Sequence, residues 1–302
     1  MNYEKMFGKS HKKTVILGSI AAFAILSVTI SAIVGFSVKS VTDNANMLDD
    51  SRSRSTVNAA LHNVTDQMEG ITRDNAIWDD AAEAAYKTND VQWMFENWGQ
   101  TTLDYPLYNE ALVIEADGTP VMAYDNGVEM AWTPGQFYGP SFETLLQKVR
   151  VAEGVGNNAM MESAFVMTPQ GLTVMSIGPI LASSFDMKIE LAKRRFVVFS
   201  RQMTAEDIAG MSETYVVPGL RFEREASVSL MQTAVNDATG QTIGFLSWPP
   251  QNPGHKAFDK ISPYLLAVLA LLASLLFGFV AFSRFLVRDI NRDRIRAHYE
   301  ST

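Results

Sequence analysis

The chain of 302 residues carries 25 Lys and Arg against 33 Asp and Glu, a net charge of −8, and it contains no cysteine. The acidic excess argues against nucleic acid as a partner, because acidic surfaces repel phosphate backbones. The lack of cysteine excludes disulfides and thiolate chemistry, and a chain of this length can bury a core without such crosslinks.

Two uninterrupted apolar runs lie near the ends of the chain. The first covers residues 14–38 and the second covers residues 264–283, and neither contains a charged side chain. About 20 such residues are enough for a helix to cross the hydrocarbon core of a membrane. We therefore predict transmembrane helices at 14–38 and 263–283.

The first apolar run could instead be a signal peptide that is removed on export. Signal peptides have an apolar stretch of about 7–15 residues and end at a cleavage site of small residues. This run has 25 residues, and no Ala-x-Ala site follows it. Its length favours an anchor that remains in the protein.

Basic residues cluster on the outer flanks of the two apolar runs. Four lysines lie in residues 1–13 and five arginines lie in residues 284–302, whereas residues 39–262 hold 16 Lys and Arg against 29 Asp and Glu. Segments rich in Lys and Arg stay in the cytoplasm. We therefore expect both ends to be cytoplasmic and residues 39–262 to form one domain outside. The arginines next to the second run are expected to contact anionic membrane lipids.

A helical pattern follows the first apolar run. Apolar or small residues recur at alternating spacings of four and three from Val57 to Ala82, which is typical of an amphipathic helix. Residues 41–56 are more polar but contain no Pro or Gly, so we predict one long helix that extends to about Tyr86. Such a helix could pass a rotation or a piston shift into the membrane. It could equally be an ordinary amphipathic helix that packs on its own domain.

The rest of the outer segment has the pattern of strands joined by turns. We predict strands at 111–116, 120–124, 159–167, 172–181, 194–201, 226–235 and 242–248, and helices at 141–151 and 205–211. Gly118 and Gly171 lie in short hairpin turns, and Thr204 caps the second helix with Asp207 at the position of a capping box. Neighbours linked by turns favour an antiparallel sheet flanked by helices. The predicted fold is α+β, with a PAS-like antiparallel sheet and a long N-terminal helix.

The densest cluster of candidate binding residues lies between Arg73 and Asp80. In a helix, Asp74 and Trp78 share a face, so a carboxylate and an indole could line one wall of a pocket with Asp79 beside them. This arrangement suits a ligand that carries a cation or hydrogen-bond donors next to a flat ring. Alternatively, Asp74 caps or orients the helix and Trp78 fills the core.

Four further residues are candidates for ligand contacts. Trp93, Trp98 and Tyr108 could form an aromatic wall, although core packing explains them equally well. Arg201, at the end of a predicted strand, could bind an anionic ligand or form an ion pair, and the ion pair is the simpler interpretation. The basic run at residues 193–195 is predicted to lie on a solvated surface.

Patterns typical of an enzyme are missing from the sequence of the outer segment. Its histidines, His62 and His255, have no metal-ligand spacing, and no Gly-x-Ser-x-Gly motif is present. Gly154-Val155-Gly156-x-x-Ala159 mimics a dinucleotide-binding fingerprint, but it follows a predicted helix and is interpreted as a loop. We therefore predict no catalytic residue, no metal site and no cofactor.

Four motifs occur in an order that resembles the type-4 CHASE domain, an extracytoplasmic bacterial sensor module. They are Asp74-x-Ala76-x-Trp78-Asp79, the hairpin from Leu112 to Gly118, the strand from Phe196 to Arg201 leading into the helix at Thr204, and Trp248-x-x-x-x-Pro253-Gly254. The resemblance covers nearly the whole outer segment. Members of the family commonly have a second Trp directly after the first Asp, where this chain has Asn75.

The resemblance implies a sensor in the bacterial inner membrane with a periplasmic domain. Proteins with this domain typically continue into GGDEF or EAL domains, which make or degrade cyclic diguanylate, or into histidine kinases. Residues 284–302 are too few for such a domain. We expect the output domain to lie beyond Thr302, with a separate partner protein as the alternative.

We expect an unknown small molecule to bind behind the helix of Asp74 and Trp78 in a homodimer and to shift the transmembrane helices. A sensor of this kind requires a concave pocket. The first alternative, a membrane-anchored module that binds a periplasmic protein, requires an exposed apolar patch. The second, a periplasmic enzyme, requires a titratable pair with perturbed acidity inside a pocket.

Overall fold

The computed structural model describes residues 3–104, 107–151, 160–184 and 189–299. The chain divides into two units, of which one comprises residues 1–50 and 251–302 and the other comprises residues 51–250. The glycine-containing loop predicted at 154–159 lies outside the described residues.

The first unit contains both apolar runs, and both are helical. Helix α1 extends from Tyr3 to Ala76, and helix α7 extends from Pro253 to Tyr299. Each contains a window that is long and apolar enough to cross a membrane, and none of the residues in either window is buried inside the protein. Both helices are therefore candidate membrane spans.

Within this unit, α1 and α7 approach each other closely at Gly254. A Cβ atom on Gly254 would overlap the main-chain carbonyl oxygen of Thr42. The Gly254 N–H donates to Oδ1 of Asn46 at 2.8 Å, and Nδ2 of Asn46 lies 2.6 Å from Nδ1 of His255. Small residues allow helix backbones to approach in this way. The structure thus gives a steric reason for the glycine in the Pro253-Gly254 motif.

A six-stranded antiparallel sheet forms the centre of the second unit. Its strands are β1 (Glu110–Ile114), β2 (Pro120–Asp125), β3 (Val128–Glu129), β4 (Glu162–Thr168), β5 (Gly171–Pro179) and β6 (Phe196–Gln202). Their order across the sheet is β3-β2-β1-β6-β5-β4. A smaller sheet contains β7 (Arg221–Glu223), β8 (Met231–Asn236) and β9 (Thr242–Trp248), with β9 in the middle.

Apolar residues are buried on both faces of the larger sheet, because successive side chains of a strand point to opposite sides. In β6, Val197 and Phe199 join one core, which also contains residues of α1 and of helix α6 (Ala205–Thr214). Phe196 and Val198 join the other core, which contains helices α4 (Pro134–Tyr138) and α5 (Pro140–Val151). Helices therefore cover the sheet on both sides.

Most predicted elements are present with small shifts at their ends, but the strand predicted at 226–235 begins only at Met231. The first hairpin, the turn at Gly171, helix α5 and strand β9 are confirmed. The capping box at α6 is also confirmed, since Thr204 N–H donates to Asp207 Oδ2 at 2.8 Å. The short elements β3, β7 and α4 were not predicted. The α+β class, the long N-terminal helix and the antiparallel sheet agree with the prediction.

The prediction that the long helix extends to Tyr86 is wrong, because α1 ends at Ala76. Trp78 donates its N–H to the carbonyl oxygen of Leu181 at 3.0 Å, and the Leu181 N–H donates to that of Ala76 at 3.0 Å. Trp78 has the extended dihedral angles φ −151° and ψ 134°. Hydrogen bonds to Leu181, two residues after the end of β5, thus replace the helical hydrogen bonds of α1 at this point.

The prediction of a solvated surface at residues 193–195 is wrong for Arg195, whose side chain is only 14% exposed. Its guanidinium donates to the carbonyl oxygen of Ala85 at 2.7 Å and to Oε1 of Glu115 at 2.8 Å. Its main-chain N–H donates to the Tyr86 hydroxyl at 2.8 Å, and burial raises the pKa of Tyr86 to about 12. Arg195 therefore ties the chain after α1 to the sheet.

Candidate functional site

Short helical segments follow α1 and carry most of the candidate residues. They are α2 (Asp79–Glu83), a π-helical turn at Ala84–Thr88, α3 (Val91–Met94) and a second π-helical turn at Phe95–Gly99. Asp90 caps α3 by accepting the Trp93 N–H at 2.9 Å. Isolated π-helical turns are frequent at functional sites.

The aromatic side chains of this region form a continuous series from the surface to the core, which we call the aromatic chain. It consists of Trp78, Trp93, Trp98, Phe199 and Tyr108. The ring centroids of the first four, taken in this order, are 5.1, 5.5 and 6.4 Å apart, and Tyr108 lies 4.3 Å from Phe199. Trp78 is 37% exposed, whereas Trp98 is fully buried. Four of the predicted binding residues are thus brought together.

The polar atoms of the aromatic chain differ in their hydrogen bonding. The Tyr108 hydroxyl lies 2.7 Å from Oγ1 of Thr101. Nε1 of Trp98 is buried and has no hydrogen-bond partner among the described residues. A buried donor without an acceptor costs about 1–3 kcal/mol. A hydrogen-bond acceptor placed beside this indole N–H would therefore stabilise the folded protein.

The carboxylate of Asp79 fixes the segment that follows β5. Its Oδ1 accepts the N–H groups of Ser183 at 2.8 Å and Ser184 at 2.9 Å, and its Oδ2 accepts the Ser184 hydroxyl. These hydrogen bonds, above all the one from the Ser184 hydroxyl, lower the pKa of Asp79 to about 2. Asp79 thus holds two distant segments together directly beside Trp78.

Asp74 and Trp78 do not share a helical face, so the geometry predicted for this pair is wrong. Asp74 lies in the last turn of α1 and is exposed, whereas Trp78 lies beyond the helix in extended backbone. No hydrogen bond or ion pair between described residues joins Asp74 to the aromatic chain.

Arg201 forms an ion pair, which was the simpler of its two interpretations. Its Nη2 lies 3.4 Å from Oδ1 of Asp207, at the start of α6, and 3.9 Å from the sulfur of Met203. Arg201 follows Phe199 by two residues in β6, so both side chains lie on the same face of the sheet.

Glu110 is a buried titratable residue that the sequence analysis missed. The Ser200 hydroxyl donates to its Oε2 at 2.5 Å, and the Tyr138 hydroxyl lies 2.7 Å from the Ser200 hydroxyl. The other oxygen, Oε1, has no partner among the described residues. Burial raises the pKa of Glu110 to about 8. The available signal was strand periodicity, which places Glu110 on the same face as the apolar Leu112 and Ile114.

A cavity of about 550 Å³ lies between the turn that joins β4 to β5, helix α6 and strand β7. This volume is within the usual range for small-molecule sites. None of the predicted binding residues lines it. Its residues come from separate segments of the chain, so no local motif marks it. Among the described residues, no group of three or more His, Asp or Glu could hold a metal ion.

The model of the CHASE4 domain family matches residues 60–223, which include the larger sheet and the aromatic chain. Two structures of the periplasmic domain of Vibrio cholerae LuxQ, one of them with selenomethionine, each share 10% sequence identity with this chain and cover 67% of it. The matches cover 98% and 96% of those domains, with TM-scores of 0.36 and 0.34. No curated protein matches the chain.

Proposed function

Because this chain belongs to the CHASE4 domain family of extracytoplasmic sensor modules, we propose that it is the ligand-sensing input part of a transmembrane signalling protein. The match over residues 60–223 is the observation that carries this proposal. In this proposal the chain is a non-catalytic input module, as the sensor family suggests. The sheet with helices on both faces suits a PAS-like architecture, which we include in the proposal.

The proposed topology places the sensing unit outside the cytoplasm. Candidate spans occur in α1 and α7, on either side of residues 51–250. In this proposal residues 14–38 and 263–283 cross the bacterial inner membrane, residues 39–262 are periplasmic, and residues 1–13 and 284–302 are cytoplasmic. A reporter fused after Arg150, together with protease treatment of spheroplasts, tests this. A cytoplasmic reporter, or a protected outer domain, would overturn the topology.

We place the ligand at the outer end of the aromatic chain, against Trp78 and Trp93. The concave site that this proposal requires would form around the partly exposed Trp78, whose ring a flat ligand can stack on or meet at its edge. Asp79 and Leu181 fix the backbone on either side of this surface. The ligand would therefore act at the point where α1 ends.

The signal in this proposal is a change in the equilibrium between two states of a homodimer. A ligand that binds both states equally shifts nothing, whereas a tenfold difference in affinity contributes about 1.4 kcal/mol. In this proposal the ligand contacts the residues that follow Ala76, where α1 ends, and α1 also contains the first candidate span. The output in this proposal is the turnover of cyclic diguanylate by a domain outside these 302 residues.

Screening of small metabolites tests the sensing function. With the full chain in lipid nanodiscs, a ligand of the folded state must raise the midpoint of thermal unfolding. Trp78→Ala and Trp93→Ala are expected to abolish that rise. Trp132→Ala is the matched control, since Trp132 is 55% exposed and lies outside the aromatic chain. A rise that persists in the first two variants would overturn the assignment of the site.

A membrane-anchored protein-interaction module is the second candidate. The exposure of Trp78 favours it, because a protein-binding surface presents aromatic side chains to solvent. A photo-crosslinking residue at position 78 would then trap a periplasmic protein in cells. The absence of a trapped protein together with a metabolite that binds at Trp78 would reject this candidate.

A further inference from the structure

The cavity beside α6 differs in charge from the domain that contains it. Its lining includes two arginines, Arg221 and Arg224, and none of the described residues that line it is Asp or Glu. Residues 39–262 as a whole hold 29 acidic against 16 basic side chains. Arg221 is paired with Glu223, whereas Arg224 forms none of the ion pairs between described residues, so the unpaired charge of the lining is positive and favours an anion over a cation.

The two arginines of the cavity differ in what they already contact. Nε of Arg221 donates to Oε1 of Glu223 at 2.7 Å. Arg224 takes part in none of the ion pairs between described residues, and its Nη2 lies 3.8 Å from the sulfur of Met167. A guanidinium has five N–H donors in a planar fork that matches a carboxylate. Arg224 is therefore the group that can bind an anion in the cavity.

One wall of the cavity is apolar. Ile208 and Leu220 are almost fully buried, with 5% and 6% exposure. The Phe222 ring lies against Gly244 of β9, where a Cβ atom would overlap it. Met203 completes this wall. Burial of the apolar part of a ligand against this wall would therefore stabilise its binding.

A polar wall faces the remaining part of the cavity. Nε2 of Gln202 donates to the main-chain oxygen of Gln170 at 2.6 Å, and Nε2 of Gln170 donates to Oδ2 of Asp125 at 2.6 Å. These hydrogen bonds hold both amide side chains in place. Guanidinium, amides and hydrocarbon together select an organic anion over an inorganic one, because an inorganic ion would not use the apolar wall.

We propose that this cavity binds a small carboxylate with an apolar body, whose carboxylate group contacts Arg224. The site shares no residue with the aromatic chain. Its part in signalling rests on the sensing function proposed above, whereas binding itself can be measured without that assumption.

Strand β7, which lines the cavity, pairs with the strand that precedes the second candidate span. Arg221 and Phe222 belong to β7 and pair with Ser247 and Leu246 of β9. Strand β9 ends at Trp248, and α7 begins at Pro253. A ligand that contacts β7 therefore lies one strand away from β9, whose end is joined to α7 by residues 249–252.

The test uses the full chain in nanodiscs with three probes that share one apolar body. These are 3-phenylpropionate, its neutral amide 3-phenylpropionamide, and the cation 3-phenylpropylamine. We expect only the carboxylate to raise the midpoint of unfolding and to shift the 13C-methyl signals of Met167 and Met203, which line the cavity. Equal effects of acid and amide, or no shift of these two signals by the acid, would overturn the proposal.

Substitution of Arg224 tests the role of its charge. Arg224→Gln is expected to weaken binding of 3-phenylpropionate about tenfold or more, since it removes a charge-assisted hydrogen bond. Arg224→Lys, which keeps the charge, should retain part of the affinity. Arg54→Gln is the matched control, because Arg54 is exposed on α1 and does not line the cavity. Unchanged affinity in Arg224→Gln would overturn the proposal.

The failure of this proposal can be told apart from failure of the sensing function. If 3-phenylpropionate has no effect while a metabolite still stabilises the protein through Trp78, the cavity proposal is rejected and the sensing function stands. If the carboxylate binds at Arg224 but no metabolite depends on Trp78, the cavity is retained and the aromatic site is rejected.

Discussion

The Ser200 hydroxyl donates a hydrogen bond of 2.5 Å to the carboxyl group of Glu110 across the neighbouring strands β6 and β1. Both residues are fully buried, on the face of the sheet that α4 and α5 cover. Burial raises the pKa of Glu110 from an ordinary value of 4.5 to about 8. The folded protein therefore retains a proton on Glu110 at pH values where the unfolded chain has released it.

This linkage predicts that alkaline pH destabilises the protein. The contribution of protonated Glu110 is fully present below pH 4.5, and it is lost as the pH rises through about 8. Glu110→Gln keeps the shape without the titration, so at pH 9 it should raise the free energy of unfolding by on the order of a few kcal/mol. Denaturant unfolding at pH 5, 7 and 9 measures this. Glu129→Gln, at an exposed position in β3, is the control, and identical profiles for all three proteins would contradict the prediction.

Removal of the Asp79 carboxylate should loosen the segment after β5. Asp79→Ala deletes the acceptor of the Ser183 and Ser184 N–H groups, so their amide hydrogens should exchange faster. Asp80→Ala, at the exposed next position, should leave their exchange unchanged. Since the pKa of Asp79 is lowered to about 2, the stabilising effect is present above pH 3.8 and is lost as the pH falls through about 2. Equal exchange in both variants would refute this role.

Trp98 and Trp78 should differ in their contribution to stability. Trp98→Ala empties a fully buried site and is expected to lower the free energy of unfolding by about 3–5 kcal/mol. Trp78→Ala should cost clearly less, because Trp78 is 37% exposed. Denaturant unfolding followed by circular dichroism gives both values. A larger loss for Trp78→Ala than for Trp98→Ala would contradict this prediction.

Gly254→Ala should disturb the contact between α1 and α7. The added methyl group meets the Thr42 carbonyl oxygen and Oδ1 of Asn46. Overpacking of this kind costs about 1–3 kcal/mol. Gly278→Ala is the control in the same helix, since no atom lies within 4 Å of its added Cβ. Thermal unfolding in nanodiscs should show a lower midpoint for the first variant only.

The sequence predicted elements whose causes are local. Asp117-Gly118 specifies a tight turn, Thr204 and Asp207 cap a helix within one turn, and the spacing from Val57 onward marks one face of α1. Each of these signals lies within a few residues of the element that it specifies. The two apolar runs are equally local, and both are helical.

The sequence did not predict features that depend on distant residues. The end of α1 depends on Leu181, whose hydrogen bonds with Ala76 and Trp78 compete with the continuation of the helix. The fixed position of Asp79 depends on Ser183 and Ser184 in the same way. The cavity at Arg224 is assembled from separate segments, so only the tertiary structure brings its arginines together.

The alternation along β6 restricts how this protein can change in evolution. One core contains the side chains on one face of this strand, those of Phe196, Val198 and Ser200. The other core contains those of Val197 and Phe199. The insertion or deletion of a single residue in this strand would exchange its two sets of side chains and send each to the wrong side. Among related proteins, β6 should therefore vary by substitution at constant length, whereas changes of length should be confined to connecting loops.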